Sequence, residues 1–383
     1  MKRRVIVLGS TGSIGCSALE VLAAMRDEFR VVGLAAGSRA AKLAEQANRY
    51  RPESVAIAAG KQAAALSGAL AYGPRLFSGR DALVTLLEET PCDCVVASVV
   101  GATALAATVR AVELGRRVAL ANKESLVVAG GLLVELARRN NASIIPVDSE
   151  HSAIFQAMRA GAPREVRRVY LTSSGGPFRT WSRQAMEGIT ADRAMRHPTW
   201  EMGPKISIDS ATMMNKALEI VEAKWLFNLT ADQIEVVIHP EAIVHSIVEF
   251  CDGSLIAQLG TPDMRTPIQY ALTHPDRRPC PSERLELSRL GRLTLERPDL
   301  DRFPALRLGY MVAEREGTSG AVLNGANEAA VELFRDGAIH YLDIARHTER
   351  VLTEHKTITT PTLDDLLQAD RWARREVNRC LTC

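Results

Sequence analysis

The chain has 383 residues, more than one hydrophobic core usually organises, so we expect two or three domains. Hydrophobic residues make up 46% and charged residues 24% of the sequence, a composition that is typical of folded proteins and excludes an extensively disordered chain. The formal net charge of +2 is too small to predict a nucleic acid or a membrane surface as a partner.

The seven cysteines are scattered along the chain, and a chain of this length does not need disulfides to fold. Cys92 and Cys94 begin an apolar run, where cysteine commonly packs as a small hydrophobic residue. Cys380 and Cys383 have no second pair of ligands to complete a zinc site. The apolar run at residues 5–8 is shorter than the roughly 7–15 residues of a signal sequence, and no run approaches the roughly 20 residues of a membrane span. We therefore expect a soluble, cytoplasmic protein.

The first 147 residues alternate short apolar runs, such as VIVLG and CVVASVVG, with segments rich in Ala and Leu at helical spacing. Alternation of strands with helices is typical of βαβ units and a parallel sheet. Strands that are apolar throughout suit a sheet that is buried on both faces. Residues 1–147 are therefore predicted to form a doubly wound, Rossmann-like α/β domain.

After residue 147, polar loops that contain Gly and Pro interrupt the strands, and a helix is predicted at about residues 210–224. This pattern predicts a central α+β domain at residues 148–274. Residues 275–304 are rich in Pro, Arg and Leu and are predicted to be a linker. Residues 305–383 show helical spacing throughout, which predicts a C-terminal α-helical domain.

The segment GSTGSIG at residues 9–15 lies between the first predicted strand and the first predicted helix. Glycines at this point allow the backbone to approach a pyrophosphate, and the start of the helix offers N–H donors to it. Because the spacing is GxxGxxG and not GxGxxG, the segment could also be a plain strand–helix turn. Its place at the first strand of an α/β domain favours a dinucleotide site.

The end of the second predicted strand indicates which dinucleotide is bound. An NAD-binding domain usually has Asp or Glu there to bind the ribose 2′-hydroxyl. This chain has Gly37, Ser38 and Arg39 at that point and no carboxylate, which favours NADPH. The alternative is that Arg39 only begins a surface helix.

Two groups of residues have the chemistry of a metal or phosphate site. Asp148 and Glu150 follow an apolar strand, and on an extended segment their carboxylates would point the same way, toward a hard cation such as Mg²⁺ or Mn²⁺. They could equally be the cap and the first-turn acid of the following helix. Asn215, Lys216 and Glu219 share one face of a predicted helix, where they could bind a phosphate or form a surface ion pair.

Two loops add to this pattern. Residues 173–178, SSGGPF, form a glycine-containing turn after a predicted strand, and its N–H and hydroxyl groups could bind an anion. Residues 196–205, RHPTWEMGPK, contain two prolines, a glycine and a tryptophan, as is typical of a lid that covers a substrate. Each loop alone is more often structural, but all four groups occur in one chain.

The motifs GSTGSIG, ALANKESLV, PVDSEHSAIFQ, SSGGPFR, HPTWEMGPKISIDSATMMNKALE and IHPEAIVHS occur in this order within residues 9–267, and NGANEAAV follows at residues 324–331. The chain thereby resembles the 1-deoxy-D-xylulose-5-phosphate reductoisomerases over nearly its whole length. The resemblance implies NADPH-dependent rearrangement and reduction of 1-deoxy-D-xylulose 5-phosphate to 2-C-methyl-D-erythritol 4-phosphate, in non-mevalonate isoprenoid biosynthesis. It also implies one divalent cation (Mg²⁺, Mn²⁺ or Co²⁺), a sugar phosphate as substrate, no nucleic acid or membrane partner, and a homodimer.

The resemblance also assigns roles to residues of this chain. The metal ligands, which are also catalytic, are Asp148, Glu150 and Glu219, and the other catalytic residues are Lys123 and His197. The substrate-binding residues are Lys123, Ser149, Glu150, Ser174, His197, Trp200, Met202, Ser210, Asn215, Lys216 and Glu219. The NADPH-binding residues are Thr11, Gly12, Ser13, Ile14, Gly37, Ser38, Arg39, Asn122, Glu124 and Gly203.

The chain departs from the family pattern at two places. Ser173 stands where Gly or Ala is more usual, and Ser38 with Arg39 stands where a basic residue and Asn are often found. One alternative function is that of another NADP-linked dehydrogenase, of the semialdehyde or homoserine type, although no cysteine lies in a motif typical of a nucleophile. A second is an NADP-binding regulator without catalysis, which would need neither the DSE nor the NKALE motif.

Overall fold

The chain folds as two units, each assembled from three stretches of sequence. The computed structural model describes residues 1–101, 104–196 and 202–379. The first unit comprises Met1–Ser125, Leu133–Ser152 and Asp263–Glu283. The second unit comprises Leu126–Leu132, Ala153–Pro262 and Arg284–Cys383.

These units do not share the limits of the predicted domains. Residues 263–283, assigned from the sequence to the end of the central domain and the start of the linker, belong to the first unit. There the helix Arg265–Thr273 packs against the helix Ser13–Ala24. The division at 1–147, 148–274, 275–304 and 305–383 stays a prediction.

The first unit is built on a parallel sheet. Its strands within the described residues are β1 (Arg3–Leu8), β2 (Phe29–Ala36), β3 (Ser54–Ile57), β4 (Arg75–Ser78), β5 (Cys94–Ala97), β6 (Arg117–Leu120) and β7 (Ser143–Pro146). They lie side by side in the order β4-β3-β2-β1-β5-β6-β7, and every adjacent pair is parallel. Because the order reverses between β1 and β5, a crevice forms at the carboxyl ends of these strands, where ligands of open α/β sheets bind.

Helices connect the strands of this sheet, and the last of them, α7, follows β7. They are α1 (Ser13–Ala24), α2 (Ala40–Tyr50), α3 (Ala63–Ala69), α4 (Ala82–Glu89), α5 (Leu105–Glu113), α6 (Lys123–Arg139) and α7 (Ser149–Ala157). Helix α2 shows why the sequence pattern predicts them: Leu43, Ala44 and Ala47 are buried, whereas Lys42 and Glu45 on its other face are exposed. Helix α6 is kinked at Ala129, where the backbone is not helical.

The second unit contains a mixed sheet. Its strands in the described part of the chain are β8 (Val166–Ser173), β9 (Ile234–Ile238), β10 (Val244–Phe250) and β11 (Leu255–Leu259). Their order is β11-β10-β8-β9, with β8 and β9 parallel and the other pairs antiparallel. Strand β11 therefore lies at one edge of this sheet.

Helices make up the rest of the second unit. They are α8 (Arg183–Met186), α9 (Ala191–Ala194), α10 (Pro204–Ala211) and α11 (Met214–Phe227), followed after the first unit's α12 (Arg265–Thr273) by α13 (Ala305–Arg315), α14 (Ser319–Arg335), α15 (Asp343–Glu354) and α16 (Leu363–Arg379). Helix α14 packs against α15 and α16, and α13 packs against α11.

The predicted fold class is confirmed. A doubly wound parallel sheet occupies the N-terminal part, a mixed α+β region follows it, and the chain ends in helices. Among the described residues, the helices lack the combination of length and apolar character that crossing a bilayer requires.

Candidate active site

The turn after β1 leaves no room for a Cβ atom at Gly9 or Gly15. Gly9 has a φ of +80°, and a Cβ at this position would lie 2.5 Å from the carbonyl oxygen of Ser98. A Cβ on Gly15 would lie 2.3 Å from the carbonyl oxygen of Gly9. Gly12 caps α1 and has no side chain that could bond to the first N–H groups of the helix. These groups therefore remain available to an anion at the carboxyl end of β1.

Two side chains from the β2–α2 region hold this turn. Gln46 donates from Nε2 to the carbonyl oxygen of Ser10 over 2.8 Å and accepts from Ser10 Oγ at the same distance. Arg39 Nη1 donates to the carbonyl oxygen of Thr11 over 3.0 Å. Arg39 therefore does more than begin a helix, and it stands beside the dinucleotide turn as the NADPH prediction requires. Gln46 was not predicted from the sequence, where its only signal is a polar residue on the buried face of α2.

Asn122 and Glu124 follow β6, at the carboxyl edge of the sheet that also carries the glycine turn. Asn122 caps α6, because its Oδ1 accepts a hydrogen bond of 2.9 Å from the backbone N–H of Ser125. Its Nδ2 donates to Glu124 Oε2 over 2.9 Å and to the carbonyl oxygen of Gly101 over 3.2 Å. Both side chains are thereby fixed at the place where the sequence predicts part of the NADPH site.

The segment from Asp148 to His151 forms a helix start and not the extended arrangement expected from the sequence. Asp148 Oδ1 accepts from the backbone N–H of Glu150 over 3.1 Å, and α7 begins at Ser149. The alternative of a cap followed by a first-turn acid is thus correct for the local structure. The prediction of an extended segment was wrong because the capping hydrogen bond satisfies an N–H group that an extended chain would leave to solvent.

The same carboxylate contacts an ammonium group and an imidazole ring. Lys123 Nζ lies 2.7 Å from Asp148 Oδ2, and His151 Nδ1 lies 3.1 Å from Asp148 Oδ1. Ser149 Oγ donates to Glu150 Oε2 over 2.5 Å. Lys123 and Asp148 are almost buried, with side-chain exposures of 8% and 11%. The first unit therefore brings together Lys123, Asp148, Ser149 and Glu150, to which the resemblance assigns roles.

In the second unit, the turn after β8 lies against α10. Gly175 and Gly176 have φ values of +80° and +69°, and their N–H groups donate to Ser173 Oγ and Ser174 Oγ. A Cβ on Gly176 would lie 2.7 Å from the carbonyl oxygen of Ser210. Ser174 and Ser210, both predicted to bind substrate, thus belong to two segments in direct contact.

The predicted helix at residues 210–224 is in fact two helices. Helix α10 ends at Ala211, Met213 adopts a left-handed conformation with a φ of 62°, and α11 begins at Met214. The prediction failed because a single non-glycine residue with positive φ leaves no mark on the helical spacing. The break separates Ser210 from the charged residues of α11.

Helix α11 carries a buried polar face. Asn215 Nδ2 donates to Glu219 Oε1 over 2.6 Å, and Lys216 Nζ contacts Glu219 Oε2. Lys216 and Glu219 are 2% and 1% exposed, which excludes the alternative of a surface ion pair. A buried carboxylate held between an ammonium and an amide is costly for folding, and such groups occur most often at functional sites.

The lid prediction is only partly covered by the structure. His197 and Trp200 lie outside the described residues. Met202 is half-buried, and Gly203 caps the start of α10.

Three family models match the chain. They are 1-deoxy-D-xylulose 5-phosphate reductoisomerase at residues 5–130, its C-terminal domain at residues 144–227, and the DXP reductoisomerase C-terminal domain at residues 259–376. The chain belongs to the 1-deoxy-D-xylulose 5-phosphate reductoisomerase family. The resemblance noted from the motifs is thereby confirmed.

Individual members of the reductoisomerase family match over the full length. The reductoisomerase of Pelotomaculum thermopropionicum is 48% identical over 374 residues, which cover 97% of both chains. That of Chlorobium chlorochromatii is 47% identical over 373 residues, covering 97% of this chain and 98% of the relative.

Solved structures of the family have the same fold. The reductoisomerase from Zymomonas mobilis in complex with NADPH is 42% identical, with a TM-score of 0.94, over 100% of this chain and 99% of that one. A DOX-P reductoisomerase in complex with NADPH, fosmidomycin and magnesium is 38% identical, with a TM-score of 0.93, over 99% and 98% of the two chains.

Proposed function

We propose that the chain catalyses the NADPH-dependent rearrangement and reduction of 1-deoxy-D-xylulose 5-phosphate to 2-C-methyl-D-erythritol 4-phosphate, with one divalent cation. The observation that carries this proposal is the buried face of α11, where Asn215 and Lys216 both contact Glu219. A regulator that only binds a dinucleotide would not need a buried carboxylate and ammonium on a helix of the second unit. Membership of the reductoisomerase family supports the same reaction.

NADPH is proposed to bind at the carboxyl edge of the parallel sheet. The turn would hold the pyrophosphate through the N–H groups at the start of α1, and Arg39 would bind the 2′-phosphate. The nicotinamide, when bound, supplies the hydride. The residues proposed to line the site are Thr11, Gly12, Ser13, Ile14, Gly37, Ser38, Arg39, Asn122, Glu124 and Gly203.

We propose that the ligands of the cation are Asp148, Glu150 and Glu219. Carboxylate oxygens are the ligands that Mg²⁺ and Mn²⁺ prefer, and Co²⁺ also accepts them. In the structure Lys123 pairs with Asp148 and Lys216 with Glu219, and a bound cation would take over this neutralisation of the two carboxylates. When bound, the cation would act as a Lewis acid that stabilises negative charge on the substrate.

The substrate is proposed to bind through its phosphate and its hydroxyl groups. Ser174, Ser210, Asn215 and Lys216 would hold the phosphate and hydroxyls, while Lys123, Ser149 and His197 would contact the rest of the substrate. Trp200 and Met202 would cover it as a lid and exclude water. Binding of a phosphate remote from the reacting carbons would orient the substrate and favour closure of the lid.

We also propose that the protein is a homodimer in the cytoplasm. On the edge strand β11, Leu255 is 58% and Ile256 is 37% exposed, and an exposed apolar edge is a surface that a second copy could cover. The free cysteines among the described residues, which include the buried Cys92 and Cys94, fit a reducing compartment. Light scattering should give twice the chain mass of 41.7 kDa, and a monomer mass would contradict the dimer.

An absorbance assay of NADPH consumption tests the function. The wild type should consume NADPH with 1-deoxy-D-xylulose 5-phosphate only when Mg²⁺ or Mn²⁺ is present. Glu219→Gln should lower kcat by roughly 100-fold or more, as the loss of one charge-stabilising group typically does, while NADPH affinity measured by fluorescence stays unchanged.

The control for this variant is Glu332→Gln, an equivalent change at an exposed position of α14. It should leave turnover at the wild-type rate. Unchanged turnover in Glu219→Gln would contradict the metal assignment, and wild-type turnover without metal would contradict the proposed chemistry.

A further inference from the structure

A buried carboxylate on α10 depends on a residue from the C-terminal helices. Asp209, which precedes Ser210, is 1% exposed. Its Oδ2 lies 2.7 Å from Lys205 Nζ, one turn earlier on the same helix. Its Oδ1 accepts a hydrogen bond of 2.8 Å from Nδ2 of Asn327, which lies 118 positions away on α14. Asn327 therefore fixes the orientation of a carboxylate that adjoins one of the proposed phosphate ligands.

Asn327 holds Asp209 at a cost in stability. Asn327 is fully buried, and within the described residues its Oδ1 accepts no hydrogen bond. A buried polar atom without a partner destabilises a fold, and an apolar residue of similar volume would avoid that loss. The hydrogen bond to Asp209 is the contact that only the polar side chain provides.

A second long-range hydrogen bond holds the backbone beside Asp209. The buried hydroxyl of Tyr341 donates to the carbonyl oxygen of Ala211 over 2.5 Å. Burial raises the pKa of Tyr341, so this hydroxyl stays protonated and remains a donor at physiological pH. On its other side, Ser210 lies against Gly176, which leaves no room for a Cβ. Movement of Ser210 would therefore break contacts with several segments.

We propose that Asn327 is a positioning residue of the phosphate pocket, and that Tyr341 helps by holding the backbone of α10. The inference rests on the proposed function, because it deepens the assignment of Ser210 to phosphate binding. A phosphate brings negative charge to this place, and the carboxylate of Asp209 would repel it if that side chain turned toward the pocket. The hydrogen bond from Asn327 and the ion pair with Lys205 hold this negative charge in place and partly neutralise it.

The test is Asn327→Ala, measured in two ways. The affinity for inorganic phosphate, determined by isothermal titration calorimetry, should fall by up to about tenfold, since the loss of the hydrogen bond that orients the charged Asp209 sets the upper limit of the effect. The KM for 1-deoxy-D-xylulose 5-phosphate should rise by a similar factor, while kcat stays within about threefold and the KM for NADPH is unchanged. If Asn327 only stabilised the fold, the variant would contain less active enzyme. The apparent kcat would then fall, and the KM for the substrate would stay unchanged.

Asn324→Ala is the matched control. Asn324 lies one turn earlier on α14, is also fully buried, and donates from Nδ2 to Asp370 Oδ1 over 3.1 Å. Its Oδ1, too, accepts no hydrogen bond within the described part of the chain. This variant should lose similar thermal stability and still bind phosphate as the wild type does. Equal loss of phosphate affinity in both variants, or no loss in Asn327→Ala, would overturn the proposal.

Tyr341→Phe provides a second, milder test that removes one hydroxyl. It should also weaken phosphate binding, whereas Tyr310→Phe, which removes a hydroxyl bonded to the backbone of Val236, should not. If Asn327→Ala does not fold, Tyr341→Phe decides the question. The proposal would be overturned if Tyr341→Phe bound phosphate as tightly as the wild type does. Phosphate titration needs no turnover, so it tests the role of Asn327 independently of the proposed function. Absence of metal-dependent NADPH consumption by the wild type would instead contradict the proposed function.

Discussion

Gly309→Ala tests the close packing of α13 against α11. A Cβ on Gly309 would lie 2.6 Å from the carbonyl oxygen and 2.7 Å from the Cα of Ala217, whereas carbon atoms in contact usually lie roughly 3.5–4.0 Å apart. The two helices would have to separate by roughly 1 Å at this point. Both neighbouring atoms belong to the backbone, so rotation of a side chain cannot relieve the contact.

The expected cost is the difference between two effects. Overpacking of a well-packed core costs about 1–3 kcal/mol, and replacing glycine by alanine inside a helix returns about 0.5–1 kcal/mol. A net loss of about 1 kcal/mol corresponds to a fall in melting temperature of roughly 2–4 °C for a unit of this size. Since Ala217 precedes Glu219 by two residues, displacement of α11 should also lower kcat by roughly tenfold or more.

Differential scanning calorimetry and the NADPH assay check this prediction together. Gly68→Ala is the control, because Gly68 lies in α3 and a Cβ there would meet nothing within 4 Å. This control should be more stable than the wild type by about 0.4–1 kcal/mol and have wild-type kcat. A Gly309→Ala protein that melts at or above the wild-type temperature would refute the close approach of α13 and α11.

Two further predictions concern the first unit. Arg39→Ala should raise the KM for NADPH about tenfold, as expected for the loss of an ion pair with the 2′-phosphate, and leave the KM for NADH unchanged. Arg49→Ala, a change near the end of α2, serves as the control. An unaltered preference for NADPH in Arg39→Ala would contradict the assignment of Arg39 to the site. Burial raises the pKa of Cys94 to about 12 and that of Cys92 to about 11, so both thiols stay protonated and unreactive at pH 8. Iodoacetamide should therefore label the exposed Cys251 and neither buried thiol of the folded protein, as judged by peptide mass spectrometry, and labelling of Cys94 would contradict its burial.

The sequence predicted those features that depend on neighbours along the chain. The alternation of apolar runs and amphipathic helices indicated the parallel sheet, because each strand and helix carries its own spacing. Glycines at residues 9–15 indicated the turn, since the steric demand at Gly9 and Gly15 is local. The spacing of Asn215, Lys216 and Glu219 placed them on one helical face, which the structure confirms.

Local patterns were less informative where two structures satisfy the same sequence. Asp148 and Glu150 could point together from an extended segment or begin a helix, and the second arrangement is the one that forms. The break at Met213 was not predicted, because the residues on either side of it continue a helical spacing. The capping hydrogen bond of Asp148 favours the helix in the first case, and the left-handed backbone of Met213 ends the helical run in the second.

By itself the sequence determined the fold class, the dinucleotide turn and the residue types of the site, because each follows from the spacing of nearby residues. Only the tertiary structure decided that Gln46 holds the turn, that residues 263–283 join the first unit, and that Asn327 orients Asp209. These features depend on pairs of residues far apart in the chain. A buried polar residue looks the same in a sequence whether its partner is water, a neighbouring turn or a distant carboxylate, and only packing of the chain selects that partner.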